Sequence, residues 1–119
     1  ARAGTETRYY CGDNSACLDG ISWHFFNSGH VPHPVGTKLP NDFDLFDMIG
    51  NLGEHVSDCW NPSYDGAPID GTPWLTGYCD KRVVRGGHYK DQADDLRVSG
   101  RSWVFPDSKS EYNGFRCVR

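Results

Sequence analysis

The 119-residue chain has one methionine, no excess of basic residues and no long apolar run, and each shortage excludes something. No segment approaches the ~20 consecutive apolar residues of a spanning helix, so no transmembrane segment is expected. Lys+Arg 12 against Asp+Glu 16 leaves a net charge of −4. The scattered cations make no basic footprint of the kind nucleic acid demands, so no nucleic-acid partner is expected. No stretch sustains an apolar i, i+3, i+4, i+7 pattern over three turns, which excludes a helical bundle. Cysteine pairs of the C-x2-C type are missing too, and with them the usual zinc spacing. The chain opens on Ala1 without a charged-then-apolar leader, so it is expected to be a processed chain or a piece of a longer one.

What is present is turn chemistry and aromatics. Gly 14 and Pro 7 recur every few residues, alongside Trp 4, Tyr 6 and Phe 6. This composition predicts a loop-rich α+β domain with short strands and a core built on aromatics. Five cysteines punctuate it. Cys11 and Cys17 enclose the polar loop GDNSA, and Cys59 and Cys79 flank a Pro/Gly-rich segment. Each pair is a candidate disulfide, although connectivity does not follow from spacing. If both bridges form, the compartment is oxidising, periplasmic or extracellular. Cys117 is then left over and is expected as a small buried apolar residue.

Along the chain, residues 1–30 predict an irregular lobe with turns at Gly12, Gly20 and Gly29. Phe43, Leu45, Phe46, Met48 and Ile49 predict an apolar cluster ahead of a turn at Gly50-Asn51. A strand is expected through Val56 and Cys59-Trp60, then a long loop over 61–80, then a short strand in RVVRGG (82–87). Leu96, Val98 and Gly100 alternate with Arg97, Ser99 and Arg101, the period-two signature of a half-buried strand. Asn113 to Arg119 predicts another, with Phe115 and Cys117 inward. Pro106-Asp107-Ser108 supplies the turn between those two.

The ordered segments HPVGTKLPNDFDLFDMIGNLGEHVSD, RVVRGGHY and LRVSGRSWVFPDSKSEYNGFRCVR resemble the formylglycine-generating-enzyme (sulfatase-modifying factor) family. There PN-x-FGLYDM-x-GNVWEW precedes RGGSW, LR-x-A-x-R and a terminal GFR. ARAGTETRYYCGD is similar to that family's AARAGT-x-T-x-Y-x-x-GD. The resemblance covers nearly the whole chain. It implies a C-type-lectin-like α+β fold with low regular secondary structure and short antiparallel strands. It also implies that residues 1–119 are the C-terminal portion of one such domain, and that the partner is another protein chain, either the missing N-terminal half or a larger complex.

Two departures bear on activity. Enzymes of the family hold copper on a cysteine pair shortly after RGGS, and Cu(I) selects such soft thiolates. Here Arg85-Gly86-Gly87 is followed by HYKDQADDLRVSGRSW, with no cysteine between Cys79 and Cys117. No copper is expected. GNLGEH replaces GNVWEW, so Gly53 and His55 stand where the family has tryptophans, which opens space that another chain could fill. Asn51 and Glu54 keep the positions that the resemblance assigns to a structural Ca²⁺, a cation that prefers hard oxygen ligands. The alternative is that Asn51 is only a left-handed turn residue and Glu54 a surface carboxylate.

His55, His88, Tyr89 and Asp91 mark the candidate groove. A His55/His88/Asp91 cluster has the donor types for a transition metal or a general base, although hydrogen-bonded groove histidines fit the same pattern. Asp94-Asp95 is expected in a solvated turn. Arg85, Arg97, Arg101 and Arg116 are expected to tie loops together, because a guanidinium offers five donors; anion binding is the secondary role. The functional expectation is a non-catalytic structural or binding module acting as a subunit of a larger assembly. The alternatives are a metal-dependent oxidase on the same scaffold, or a lectin-like variable protein displaying Tyr89, Trp103 and Tyr112.

Overall fold

The computed structural model describes residues 2–117. Regular structure is sparse: a 3-10 turn at Ser15–Cys17, helix α1 (Leu18–Ile21), and strands β1 (Gly53–Trp60), β2 (Tyr78–Arg85), β3 (Arg101–Val104) and β4 (Asn113–Gly114). The strands form one sheet in the order β3-β2-β1-β4. β1–β2 and β2–β3 pair antiparallel, whereas β4 runs parallel to β1 through Gly53↔Asn113 and Glu54↔Gly114. Among the described residues no helix is long and apolar enough to cross a membrane.

One core cluster sits away from the sheet, where Tyr9, Leu18, Ile21, Ile49, Leu96 and Val98 pack together, while Cys59, Val83 and Val84 are buried on the sheet itself. Burial of each such side chain contributes about 2 kcal/mol. The core is less aromatic than composition predicts. Tyr9 and Tyr89 are the buried aromatics of the described core, and most of the larger rings lie at the surface. Of the predicted cluster ahead of Gly50, only Ile49 enters the core; Phe43, Leu45 and Phe46 are exposed. A chain with so little regular structure has few interior faces to offer them.

Other boundaries move as well. Gly20 lies inside α1, whose last turn closes with Ser22 N–H on Leu18 O. The predicted 96–101 strand is a turn: Val98 N–H goes to Arg8 O and Gly100 N–H to Arg97 O, and pairing starts only at Arg101. The alternation of Leu96 and Val98 reported burial correctly but not strand pairing. The predicted strand from Asn113 shrinks to two residues, with Phe115 82% exposed and Cys117 exposed rather than inward. Val118 and Arg119 lie outside the described residues. The loop after Trp60 ends at Gly77, because Tyr78–Asp80 join β2.

Two disulfides brace the irregular parts, Cys11–Cys17 and Cys59–Cys79. The turn at Gly50-Asn51 is equally constrained. Gly50 has φ +74, and a Cβ there would fall 2.2 Å from Ser22 Oγ and 2.4 Å from Trp23 O. Asn51 follows at φ 61, a left-handed conformation that Asn tolerates better than most residues.

Candidate functional site

One face of the sheet floors a cavity of about 250 Å³, with Gly53, Val84, Ser102 and Asn113 supplied by all four strands. Its wall is the segment from Gly87 to Gly100, contributing His88, Asp91, Asp94, Asp95 and Arg97. Gly87 lets this wall fold down onto the core: a Cβ there would lie 2.7 Å from Leu96 Cδ2 and 2.9 Å from Asp91 Oδ2. Just beyond, Asp91 Oδ2 accepts the His88 backbone N–H at 2.9 Å, and Asp91 Oδ1 lies 3.2 Å from His88 Nε2. Lys90 N–H donates to His88 Nδ1 at 3.2 Å. Nδ1 is therefore the acceptor, and the ring proton sits on Nε2 toward the carboxylate. Burial pushes the Asp91 carboxyl above the usual aspartate range, against the lowering effect of the His88 amide and imidazole.

The His88 ring stacks on Tyr112, with centroids 4.6 Å apart. Tyr89 lies behind it, 2% exposed. Three of the four predicted groove residues, His88, Tyr89 and Asp91, are thus together. His55 is not among them: it is an exposed β1 residue in register with Val84. Among the described residues no three His, Cys, Asp or Glu side chains converge as a metal site, so the His55/His88/Asp91 cluster does not form. Nor do Tyr89, Trp103 and Tyr112 share a display surface. Ser102 faces the cavity, so its neighbour Trp103 projects from the opposite face of the sheet. Asp94 and Asp95 are exposed as expected, and Asp94 is ion-paired with Arg8.

The arginines act as ties. Arg85 donates to Tyr64 Oη and Val98 O, and Arg97 to Asp94 O. Arg116 Nη2–H donates to Phe46 O at 2.7 Å and also binds the Glu54 carboxylate. Arg101 differs, being held between the rings of Trp60 and Tyr64.

A second cavity, of about 350 Å³, joins Asp47, Asn51, Glu54 and Arg116 to apolar walls that include Leu45, Phe46 and Phe115. The Ca²⁺ expectation concerns this place. The Asn51 side chain is already satisfied, with Oδ1 accepting from His33 N–H and Nδ2 donating to His33 O. It holds the 33 and 51 segments together, so its side-chain oxygen is already engaged. Asp47 fits better. It is 8% exposed and sits at φ 53; Oδ2 accepts the Gly36 N–H at 2.7 Å, while Oδ1 is buried with no partner. A buried carboxylate oxygen without a donor is costly, and a hard cation relieves that cost. Sequence reasoning does not single out Asp47. Its one signal is an acidic residue inside the otherwise apolar run FDMIG.

Comparison with known proteins places these features in a family. Residues 1–119 match the family "Sulfatase-modifying factor enzyme 1-like domain". The formylglycine-generating enzyme of Streptomyces coelicolor is 37% identical over 76% of this chain and 30% of its own length. The inactive Cα-formylglycine-generating enzyme 2 of Bos taurus is 35% identical over 75% of this chain and 27% of its own. Among solved structures, Treponema denticola variable protein 1 superimposes with a TM-score of 0.86 at 31% identity, covering 97% of this chain and 41% of that one. The chain therefore spans less than half the length of these relatives.

Proposed function

The chain belongs to the sulfatase-modifying factor enzyme 1-like domain family, and from that premise we propose that it is a non-catalytic binding or structural module within a larger assembly. One observation carries this reading. The wall segment beginning at Gly87 presents an imidazole and carboxylates to the cavity, and no cysteine lies between Cys79 and Cys117. Copper-dependent thiol oxidation needs a soft thiolate pair at that place, and His88 with Asp91 does not supply one. The dyad, its stacked Tyr112 and the polar floor of Ser102 and Asn113 instead suit hydrogen bonding to a polar ligand. One relative, from Bos taurus, is itself named an inactive enzyme.

The proposal of a larger assembly draws on surface area. A folded 13.4 kDa monomer is expected to expose about 6,500 Å², whereas this chain exposes 7468 Å². The surplus is comparable to one side of a standard protein interface, about 800 Å². Phe43, Phe46, Val35 and Phe115 are among the side chains left in water. The two disulfides support an extracytoplasmic setting.

The test is anaerobic titration of the purified protein with Cu(I) against a chromophoric chelator, followed by oxygen and a cysteine-containing peptide. No stoichiometric copper retention and no oxygen-dependent thiol loss are expected; turnover would sink the proposal.

Ca²⁺ is a second proposed property, favoured by the orphaned Asp47 Oδ1. Asp47 and Glu54 would hold the ion, which would neutralise the buried carboxylate and fix the segment between Asp44 and Glu54. Thermal unfolding with Ca²⁺ and with a chelator should differ by several degrees in the parent protein and not in Asp47→Asn. Equal midpoints in the parent protein would remove the ion from the account.

A further inference from the structure

The sheet face opposite the His88 cavity carries a different kind of surface. The register pairs Val83↔Trp103 and Arg85↔Arg101 put those side chains on one face. Lys81, two residues before Val83, shares it. Lys81 Nζ sits 4.0 Å from the centroid of Trp103 and 5.7 Å from that of Tyr78. The Arg101 guanidinium lies 3.9 Å from the centroid of Tyr64 and 5.1 Å from that of Trp60. Arg85 Nη1–H donates to Tyr64 Oη at 3.1 Å and Nη2–H to Val98 O, also at 3.1 Å. Three cations are therefore fixed in position by rings and neutral oxygens.

None of the three is in an ion pair among the described residues. Glu54, in register with Arg85 on β1, gives its carboxylate to Arg116 instead, so in a chain of net charge −4 these three cations are left without an ion-pair partner among the described residues. Positioning by rings leaves most guanidinium and ammonium donors free for an anion, and anion binding close to an apolar ring gains from partial desolvation. Tyr78 and Trp103, 58% and 39% exposed, border the cations with flat apolar surface.

From this juxtaposition we propose that the Lys81/Arg85/Arg101 face binds a sulfated or carboxylated polysaccharide. Sugars present anionic substituents beside apolar C–H faces, and this surface meets both at once. An acidic peptide offers the charges without the flat apolar face. Single-stranded nucleic acid is the competing polyanion, and oligo(dT) in the experiment below separates it from a glycan. Arg101 also borders the His88 cavity, but Lys81, Trp103 and Tyr78 do not, and the proposal does not rest on a ligand in that cavity.

The experiment is retention and equilibrium binding of the purified protein on heparin, as a sulfated-glycan probe, across a salt series. Polyglutamate and oligo(dT) serve as the competing polyanions. Heparin binding is expected to weaken with salt and to fall at least tenfold in the Lys81→Ala/Arg101→Gln double variant. It should fall several-fold in Trp103→Ala and not change in Lys109→Ala, with near-ultraviolet circular dichroism confirming that each variant is folded. Should the double variant fail to fold, Lys81→Gln alone carries the test, with a loss of about threefold expected. Failure of the parent protein to bind heparin at low salt overturns the proposal. So does binding that the variants leave unchanged, or equal affinity for polyglutamate or oligo(dT).

Discussion

Arg116 clamps Glu54 across 62 residues of sequence: its Nε–H lies 3.0 Å from each carboxylate oxygen and its Nη2–H donates to Oε1 at 2.6 Å. The contact ties the segment after β4 to β1, and the same guanidinium holds Phe46 O. Hydrogen bonding to Glu54 raises the Arg116 pKa above its ordinary value. Both side chains retain some solvent contact, 32% for Arg116 and 23% for Glu54, so the pair sits between surface and buried extremes. Arg116→Met is expected to reduce stability by about 2 kcal/mol in urea unfolding. Glu54→Gln should cost less, because the amide keeps one acceptor. A change below a few tenths in both variants would show that the clamp is incidental.

Alkaline pH should unfold the protein through Tyr10. Burial first, and the negative charge of Asp47 second, push this phenol up to about 12. Its hydroxyl donates to carbonyls of Ile21 and Leu39, 3.2 and 3.1 Å away. A raised folded-state pKa means the native state holds the proton more tightly. The contribution is therefore complete below the unfolded value of about 10 and is lost as pH rises toward about 12. Denaturation midpoints should be level up to about pH 10 and fall above it, and Tyr10→Phe should flatten that fall. An unaltered alkaline limb in Tyr10→Phe would place the loss elsewhere.

Glycine is required at position 50 for space and at position 66 only for conformation. Gly50→Ala drives a Cβ into Ser22 Oγ and Trp23 O at a positive φ, so a loss of about 3 kcal/mol or more is expected. Gly66 has φ +79, but a Cβ added there would meet nothing within 4 Å, so Gly66→Ala should cost about 1 kcal/mol from backbone strain alone. Paired thermal or urea unfolding of the two variants checks the ordering, and equal losses would contradict it.

The disulfides should differ in value. Cys59–Cys79 closes a loop of sequence separation 20 and Cys11–Cys17 one of 6. Chain-entropy arguments give losses of about 3 and about 2 kcal/mol on removal. Cys59→Ser/Cys79→Ser should be the more destabilised, and limited proteolysis should then cut first within residues 61–77. Cleavage restricted to another loop would show that the bridge does not govern that segment.

How much of the molecule is legible in its sequence differs by residue. Local chemistry announces itself: the Gly50-Asn51 turn, the β-branched start of RVVRGG and the Pro106 turn all follow from what one residue type can do next to its neighbours, whereas the cysteines stand in the sequence only as candidate pairs. The His88-to-Asp91 spacing likewise places two groove residues side by side, three apart on one turn. The motifs quoted from the sequence carry the family assignment.

What only the tertiary structure decided is which side chains meet across long separations, and which alternating segments find a strand to pair with. Leu96 and Val98 alternate like a strand, yet their backbone bonds go to Arg8 and to a turn. Phe115 and Cys117 alternate too, and lie in water beyond a two-residue β4. His55 falls on the exposed side of β1, while Asp47, unremarkable in sequence, ends with a carboxylate oxygen buried and without a partner. Periodicity records which side chains prefer to leave water; it does not record the partner. In a fold held mostly by loops, hydrogen bonds, ion pairs and disulfides between distant segments settle that choice, and those depend on three-dimensional closure rather than on neighbours in the chain.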